Sequence, residues 1–334
     1  MSITELEALV ARITSNWNDD FAEVANHEFG PHRGSALVRG FSQAFSEAYK
    51  EHYTPQQALQ DVYLLENLSA DSALGIGLRA SEKGDDLHLK LFHRSEPVAL
   101  SDMIPVLENM GFRVLMERPY KISLRDQDAV WVQDFALQTT LEVAVEIDEI
   151  SSNFSAALRS IWSGHAEDDR FNRLLIAVGL DWRSVALFRL YARYLKQLGV
   201  SYSQDFIANT LAEHYRICAD LMRFFNALFD PRKRPDADNG SRSKEIKVGL
   251  VSQLDKVENI SQDNVLRAYV ELMEATQRCN FYQRSASGEA KPYLSVKFAT
   301  EQIARAPKPR PVREIFVYSC LLYTSPSPRD FEAS

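Results

Sequence analysis

Long hydrophobic runs are missing from this sequence. Nowhere do about 18 apolar residues follow one another, which excludes a membrane-spanning helix of ordinary length. The N-terminal stretch MSITELEALVARI has neither a basic segment nor an apolar core, so it is not a secretory signal. We therefore predict a cytoplasmic protein with no membrane partner.

A surplus of basic residues is missing as well. The chain has 38 Lys and Arg residues against 46 Asp and Glu residues, and its formal net charge is −8. General nucleic-acid binding depends on neutralising phosphates with Lys and Arg, so this charge balance argues against it. The most basic stretch, residues 231–244, is interrupted by acids and contains no aromatic residue, which predicts a solvated linker.

Metal-binding patterns are also absent. The three cysteines, Cys218, Cys279 and Cys320, are far apart and form no CxxC pair, which suits a reducing compartment. His27-Glu28 is followed by His32 instead of a histidine at the spacing of HExxH, and Gly30 interrupts the helix that this motif needs. The sequence predicts no metal site.

Cofactor and nucleophile motifs are missing too. Gly75-Ile76-Gly77 lies within an alternating strand pattern, with neither the third glycine nor the helix start of a dinucleotide-binding fingerprint. No Walker-type GKS or GKT and no GxSxG are found. We predict no catalytic and no cofactor-binding residue in this sequence.

The patterns that are present predict an α+β fold. Residues 1–53 have helical spacing in Leu6–Ile13 and Leu37–Tyr49, separated at Gly30-Pro31. Residues 54–140 read helix, strand, strand, helix, strand, strand, with a hairpin turn at Gly84-Asp85. The period of two in the strands predicts a sheet with one buried face, covered by two helices.

The second half of the chain is predicted to be mainly helical. Residues 141–230 form a helical domain, residues 231–244 the linker, and residues 245–319 helices followed by strands at Tyr293–Phe298 and Ile315–Tyr318. The Ser/Pro-rich run Leu321–Asp330 resembles translated sequencing-adapter sequence, so we treat residues 320–334 as a non-native tail. A natural disordered tail is the alternative.

Several segments, in order, resemble the large bacterial NAD-specific glutamate dehydrogenases. The strongest match is Pro97–Ile122, and the resemblance covers about residues 1–319. The other matching segments are Glu47–Leu68, Arg170–Leu174, Gly179-Leu180, Trp182–Leu187, Tyr191–Gln197, Lys291–Phe298 and Glu314–Ser319. We therefore expect an internal fragment of such an enzyme, which includes an ACT-like domain at residues 54–140 and the start of the catalytic domain.

The resemblance implies what the intact protein does. It would oxidise L-glutamate to 2-oxoglutarate and ammonia as a homo-oligomer, with NAD bound outside this fragment. The glycine-rich GGLRWSDR stretch, the catalytic lysines and the nucleotide-binding domain of the family are not in the sequence, so no catalytic residue carries over. We expect this fragment to supply regulation and subunit contacts and to be inactive alone.

One ligand site follows from the same resemblance. The run Glu96–Asp102 is similar to the strand-to-helix turn of ACT domains, where free backbone N–H groups can receive the carboxylate of an amino-acid effector. The candidate residues are Pro97, Val98, Leu100 and Ser101. Val98 stands where many ligand-binding ACT domains have glycine, and its β-branch restricts close approach. A module for amino-acid binding or oligomerisation without catalysis is the alternative function.

Overall fold

The computed structural model describes residues 16–68, 74–80, 87–124, 128–143, 147–233 and 239–320. The chain divides into two compact units, one formed by Met1–Pro105 and Arg113–Gln138 and the other by Val106–Phe112 and Thr139–Ser334. Long helices accompany a four-stranded and a three-stranded sheet, so the predicted α+β class is confirmed.

The elements of the first half of the chain have the predicted order from residue 54 onward, whereas one kinked helix runs through Gly30-Pro31, where two helices were predicted to separate. In chain order they are α1 (Trp17–Phe41), α2 (Glu47–His52), α3 (Pro55–Glu66), β1 (Leu74–Ala80), β2 (Leu87–Arg94), α4 (Leu100–Asn109), β3 (Phe112–Ile122) and β4 (Val130–Thr139). The strand order in the sheet is β1-β2-β4-β3, and β2 is antiparallel to both neighbours. Leu89 lies opposite Phe135 and Lys90 opposite Asp134.

Local signals explain most of the helix boundaries. Thr54 starts α3 with a capping box, and Gly30 kinks α1 at a φ of 76°. Gly111 follows α4 with a φ of 93°, as expected of a glycine after a helix end. Ser101 has a side chain suited to an N-cap, but α4 already begins at Leu100, so Ser101 lies inside its first turn. The Leu6–Ile13 pattern and the Gly84-Asp85 turn lie outside the described residues.

The prediction that the sheet has one buried face is wrong. Helices α1–α3 share a buried hydrophobic cluster with strand residues on one face of the sheet, among them Phe92 and Val132. Leu89, Leu91 and Phe135 point to the opposite face and are buried as well. Both faces of the central strands are therefore withdrawn from water, and polar residues on either face need internal partners.

The second half of the chain is built around one buried helix. Its elements are α5 (Ile147–Trp162), α6 (Arg173–Ala177), α7 (Trp182–Gln197), α8 (Gln204–Glu213), α9 (Tyr215–Phe229), α10 (Asn239–Leu254), α11 (Ile260–Ala275), β5 (Thr276–Cys279), β6 (Leu294–Phe298) and β7 (Glu314–Tyr318), with short 3₁₀ turns at Arg170–Asn172, Pro231–Lys233 and Thr300–Gln302. The sheet order is β5-β6-β7, and both pairings are antiparallel. In α7 almost every residue from Arg183 to Leu195 is buried.

One boundary and one strand differ from the sequence expectation. The linker was predicted over residues 231–244, but α10 begins at Asn239, inside it. Leu250 and Leu254, at the other end of this helix, are buried and stabilise it by packing. Its first residues, Asn-Gly-Ser, are typical of a loop, which is why the linker was predicted to extend over them. Strand β5 was not predicted, because its four residues follow α11 directly and have no apolar alternation.

Candidate functional site

The turn predicted to receive a ligand connects β2 to α4. Ser95 has a positive φ of 68°, which turns the chain out of the strand. Pro97, Leu100 and Ser101 are exposed, whereas Val98 is buried. The structure thus places the four candidate residues together at the strand-to-helix turn, where Val98 alone of the four has a buried side chain.

The side chain of Gln133, on β4, closes the backbone of this turn. The Val98 N–H donates to Gln133 Oε1 at 2.7 Å, and Gln133 Nε2 donates to the Val98 carbonyl at 3.1 Å. Gln133 Nε2 also donates to Glu117 Oε1 at 3.0 Å. The amide N–H that a ligand carboxylate would use at Val98 is therefore already satisfied by a buried side chain.

The start of α4 also carries a negative charge of its own. Asp102 lies in the first turn, and the Ser101 hydroxyl donates to Asp102 Oδ1 at 3.1 Å. A carboxylate at this helix end interacts favourably with the helix dipole, and it would repel an incoming anion. Amino-acid binding at Pro97, Val98, Leu100 and Ser101 stays a prediction.

A buried charged cluster, which the sequence did not reveal, lies elsewhere in the same unit. Lys90 is 3% exposed and Asp61 is 4% exposed, and the Lys90 ammonium donates to Asp61 Oδ2. Tyr49 Oη donates to the same carboxylate oxygen at 2.5 Å. The Lys90 Nζ lies 3.5 Å from the ring centroid of Tyr53 and 5.3 Å from that of Tyr49. We call Tyr49, Tyr53 and Asp61 the Lys90 socket.

A second carboxylate extends the cluster across the sheet. Tyr53 Oη donates to Asp134, which is also buried. His88 Nδ1 lies 3.1 Å from Asp134 Oδ1, and the Arg79 guanidinium lies 5.5 Å from the Tyr53 ring centroid. The ammonium and the two carboxylates are thus held by hydrogen bonds and aromatic faces, as buried charges require.

Burial dominates the electrostatics of this pair. It raises the pKa of the Asp61 carboxyl, which the Lys90 charge opposes, and it lowers the pKa of Lys90, which the Asp61 charge opposes. Such a pair contributes little net stability, but it becomes strongly destabilising if one partner is removed. The structure holds the ammonium in one position, paired with Asp61 and close to the rings of Tyr49 and Tyr53.

Other kinds of site are not found in the part of the chain that the structure describes. No group of three or more His, Cys, Asp or Glu residues there is arranged to hold a metal ion. None of the described helices combines the length and the apolar character needed to cross a membrane.

Comparison with known proteins gives four family matches in sequence order. They are glutamate dehydrogenase helical motif 2 at residues 24–68, the glutamate dehydrogenase ACT3 domain at residues 73–150, glutamate dehydrogenase helical motif 3 at residues 166–231, and the bacterial NAD-glutamate dehydrogenase catalytic domain at residues 249–324.

Whole-chain similarity agrees with these matches. A protein of Halomonas elongata named NAD-specific glutamate dehydrogenase is 39% identical over 319 residues, which are 95% of this chain and 20% of that protein. The chain belongs to the NAD-specific glutamate dehydrogenase family. Proteins with the same name from Pseudomonas aeruginosa and Mycobacterium tuberculosis are 36% identical over 317 residues and 35% identical over 292 residues, covering 94% and 86% of this chain and 20% and 18% of their own.

The chain spans about a fifth of the length of these glutamate dehydrogenases. The family matches also give the Lys90 socket a location. Tyr49, Tyr53 and Asp61 lie in helical motif 2, whereas Lys90 and Asp134 lie in the ACT3 domain. The contact between Lys90 and its socket therefore joins two segments of the family that are recognised separately by sequence.

Proposed function

We propose that the chain is a segment of an enzyme that oxidises L-glutamate to 2-oxoglutarate and ammonia, with NAD as the hydride acceptor. The observation that carries this proposal is the catalytic-domain match at residues 249–324, which continues the three preceding family segments in one order. The relatives' names specify both NAD and glutamate. We further propose that the enzyme is a cytoplasmic homo-oligomer active in amino-acid catabolism.

Within that enzyme, the segment supplies helices, the ACT-like sheet and the first strands of the catalytic domain. The hydride step belongs to residues outside it, because the sequence contains no dinucleotide fingerprint and none of the family's catalytic lysines. Strands β5–β7 form an open sheet of three strands, one edge of which, β7, presents Ile315 and Val317 to solvent. We propose that the fragment alone is inactive and that an amino-acid effector acts through the ACT-like part.

A chimera tests this function. The matching 319-residue segment of the Halomonas elongata relative is replaced by the corresponding residues of this chain, and glutamate-dependent NADH formation is measured. We expect kcat/KM within about tenfold of the parent enzyme, since a tenfold change corresponds to only ~1.4 kcal/mol of transition-state stabilisation. The parent with the segment deleted serves as the control and is expected to be inactive. A folded, soluble chimera without glutamate-dependent activity would contradict the proposal.

A further inference from the structure

Arg189 is the most deeply buried charged residue of α7. Its exposed fraction is 1%, although arginine is almost never fully buried without partners. α7 lies in the glutamate dehydrogenase helical motif 3, and the sheet that packs near it lies in the catalytic-domain match. The hydrogen-bond partners of this guanidinium therefore show how helical motif 3 contacts the catalytic-domain segment.

One side of the Arg189 guanidinium is fixed by the segment before α6. Nε donates to Asp169 Oδ2 at 2.8 Å and Nη2 donates to Asp169 Oδ1 at 2.7 Å, which is a bidentate pair. Nη2 also donates to Asn172 Oδ1 at 3.1 Å and to the Glu167 carbonyl at 3.4 Å. The guanidinium carbon lies 5.7 Å from the Phe171 ring centroid. These contacts fix both the plane and the position of the group.

The remaining nitrogen reaches the other segment. Nη1 of Arg189 donates to the hydroxyl of Tyr318, the last residue of β7, at 3.5 Å. The first residue of β7, Glu314, accepts hydrogen bonds from Tyr194 Oη at 2.8 Å and from Gln197 Nε2 at 2.6 Å. Both ends of β7 are thus attached to α7, and the Tyr318 end depends on where Asp169 holds Arg189.

The same acidic segment touches the ACT3 region. Asn109, the last residue of α4, donates from Nδ2 to Asp168 Oδ1 at 3.1 Å. Gly111 is held beside it, because its carbonyl accepts from Thr140 N at 2.8 Å and from Thr140 Oγ1 at 2.9 Å. All of these residues belong to one compact unit. Adjacent acids, Asp168 and Asp169, therefore have partners in the ACT3 region and in helical motif 3.

We propose that Arg189 is a positioning residue through which the segment Glu167–Asp169 determines the position of the Tyr318 end of β7. Along the same path, the ACT3 region influences the catalytic sheet. The path runs from Asn109 through Asp168 and Asp169 to Arg189 and Tyr318. A shift of the acidic segment carries the bidentate guanidinium with it, because a buried arginine has no water to replace a lost carboxylate. Its meaning for catalysis rests on the proposed function, whereas the coupling itself does not.

Amide hydrogen exchange of the 334-residue chain tests the coupling. Arg189→Lys keeps the positive charge but loses the bidentate hydrogen bonding of the guanidinium, and Tyr318→Phe removes only the hydroxyl. We expect each to raise exchange at residues 314–318 by roughly tenfold, and the double variant to exceed neither single variant. Arg267→Lys is the matched control, since Arg267 Nε contacts both oxygens of Asp263 on α11, at 2.8 and 2.9 Å. It is expected to leave residues 314–318 unchanged.

Asn109→Ala tests the outer part of the path, and it leaves the core intact because its bond with Asp168 lies at the surface. We expect exchange at residues 314–318 to rise about threefold, with no change in α9. An effect confined to residues 109–112 and 165–172 would overturn the link to ACT3. Additive effects of Arg189→Lys and Tyr318→Phe would overturn the positioning role. If Arg189→Lys fails to fold, Tyr318→Phe and Asn109→Ala decide the matter.

The catalytic consequence is measured in the chimera with the relative's enzyme. We expect Asn109→Ala to change kcat for glutamate oxidation about threefold, with little change in KM, because the substrate itself is not contacted. Unchanged kcat, with exchange altered in the chain, would overturn the claim that the path reaches catalysis. An inactive chimera would instead refute the proposed function, and the exchange results would still judge the coupling.

Discussion

Replacing Lys90 with methionine is expected to lower the free energy of unfolding of the chain by about 3–5 kcal/mol. Asp61 would remain in its buried place with its charge no longer paired, and among the described residues the Tyr49 hydroxyl would still donate to it. Tyr49 and Tyr53 would also lose the cation between their rings. Chemical denaturation followed by far-ultraviolet circular dichroism measures this loss, with the first unit expected to unfold at lower denaturant.

Two further variants separate the charge from the packing. Asp61→Leu combined with Lys90→Met removes both charges and is expected to recover most of the lost stability. Arg33→Met is the matched control, because Arg33 pairs at 2.6 Å with Glu66 and the two side chains are 54% and 31% exposed, so its effect should stay within about 1 kcal/mol. If the double variant is as unstable as Lys90→Met alone, the socket acts through packing and the account of a buried ion pair is wrong.

The second large effect is a loss of stability in alkali. Burial raises the pKa of Tyr191 and Tyr269, both at the core of the second unit, above the ordinary value of 10.0. Above pH 10.0 the hydroxyl groups of both tyrosines lose their protons in the unfolded chain and keep them in the folded chain. The stabilisation is therefore complete below pH ~10 and falls as pH rises, by ~1.4 kcal/mol per pH unit for each such tyrosine. Burial raises the pKa of the Cys218 thiol in the same way, and its contribution begins to fall from its ordinary value of 9.0.

Denaturation midpoints measured from neutral pH to about pH 11, together with tyrosinate absorbance, check this expectation. Tyr269→Phe should reduce the pH slope by one tyrosine, although it also loses the 2.8 Å hydrogen bond to the Phe188 carbonyl at every pH. A midpoint that does not change up to pH 11, or tyrosinate signal that appears before unfolding, would contradict the buried environment of these two side chains.

The sequence predicted the elements better than the groups that connect them. Alternation identified β1, β2, β6 and β7 because an apolar residue at every second position depends on the strand itself. In β2 the leucines at 87, 89 and 91 alternate with His88 and Lys90, which is typical of a solvent-exposed face for Lys90. This pattern could not show that α2 and α3 bury that face. Asp61 did carry a signal, since it lies between Ala58, Val62 and Leu65 on the buried side of α3. A carboxylate in an apolar stripe indicates a buried partner, but not which residue that partner is.

The candidate turn and Arg189 illustrate the same limit. The strand-to-helix turn at Pro97–Ser101 could be located from sequence, whereas its closure by Gln133, 35 residues after Val98, depends on the pairing of strands. Three consecutive acids shortly before Phe171, Glu167–Asp169, are typical of the charged start of a helix. Asp169 does cap the turn at Phe171, at 3.0 Å, and it also holds Arg189. Long-range hydrogen bonds of this kind have no periodicity that a single sequence can display.

The most direct test of the central claim is the assay of the purified 334-residue chain with L-glutamate and NAD. That claim is that the chain supplies the ACT-like and helical parts of a glutamate dehydrogenase and no hydride-transfer machinery. We expect a folded chain that forms no NADH above the rate of a heat-denatured sample. Glutamate-dependent NADH formation by this chain alone would contradict the account, because the residues for NAD binding and catalysis would then have to lie within it.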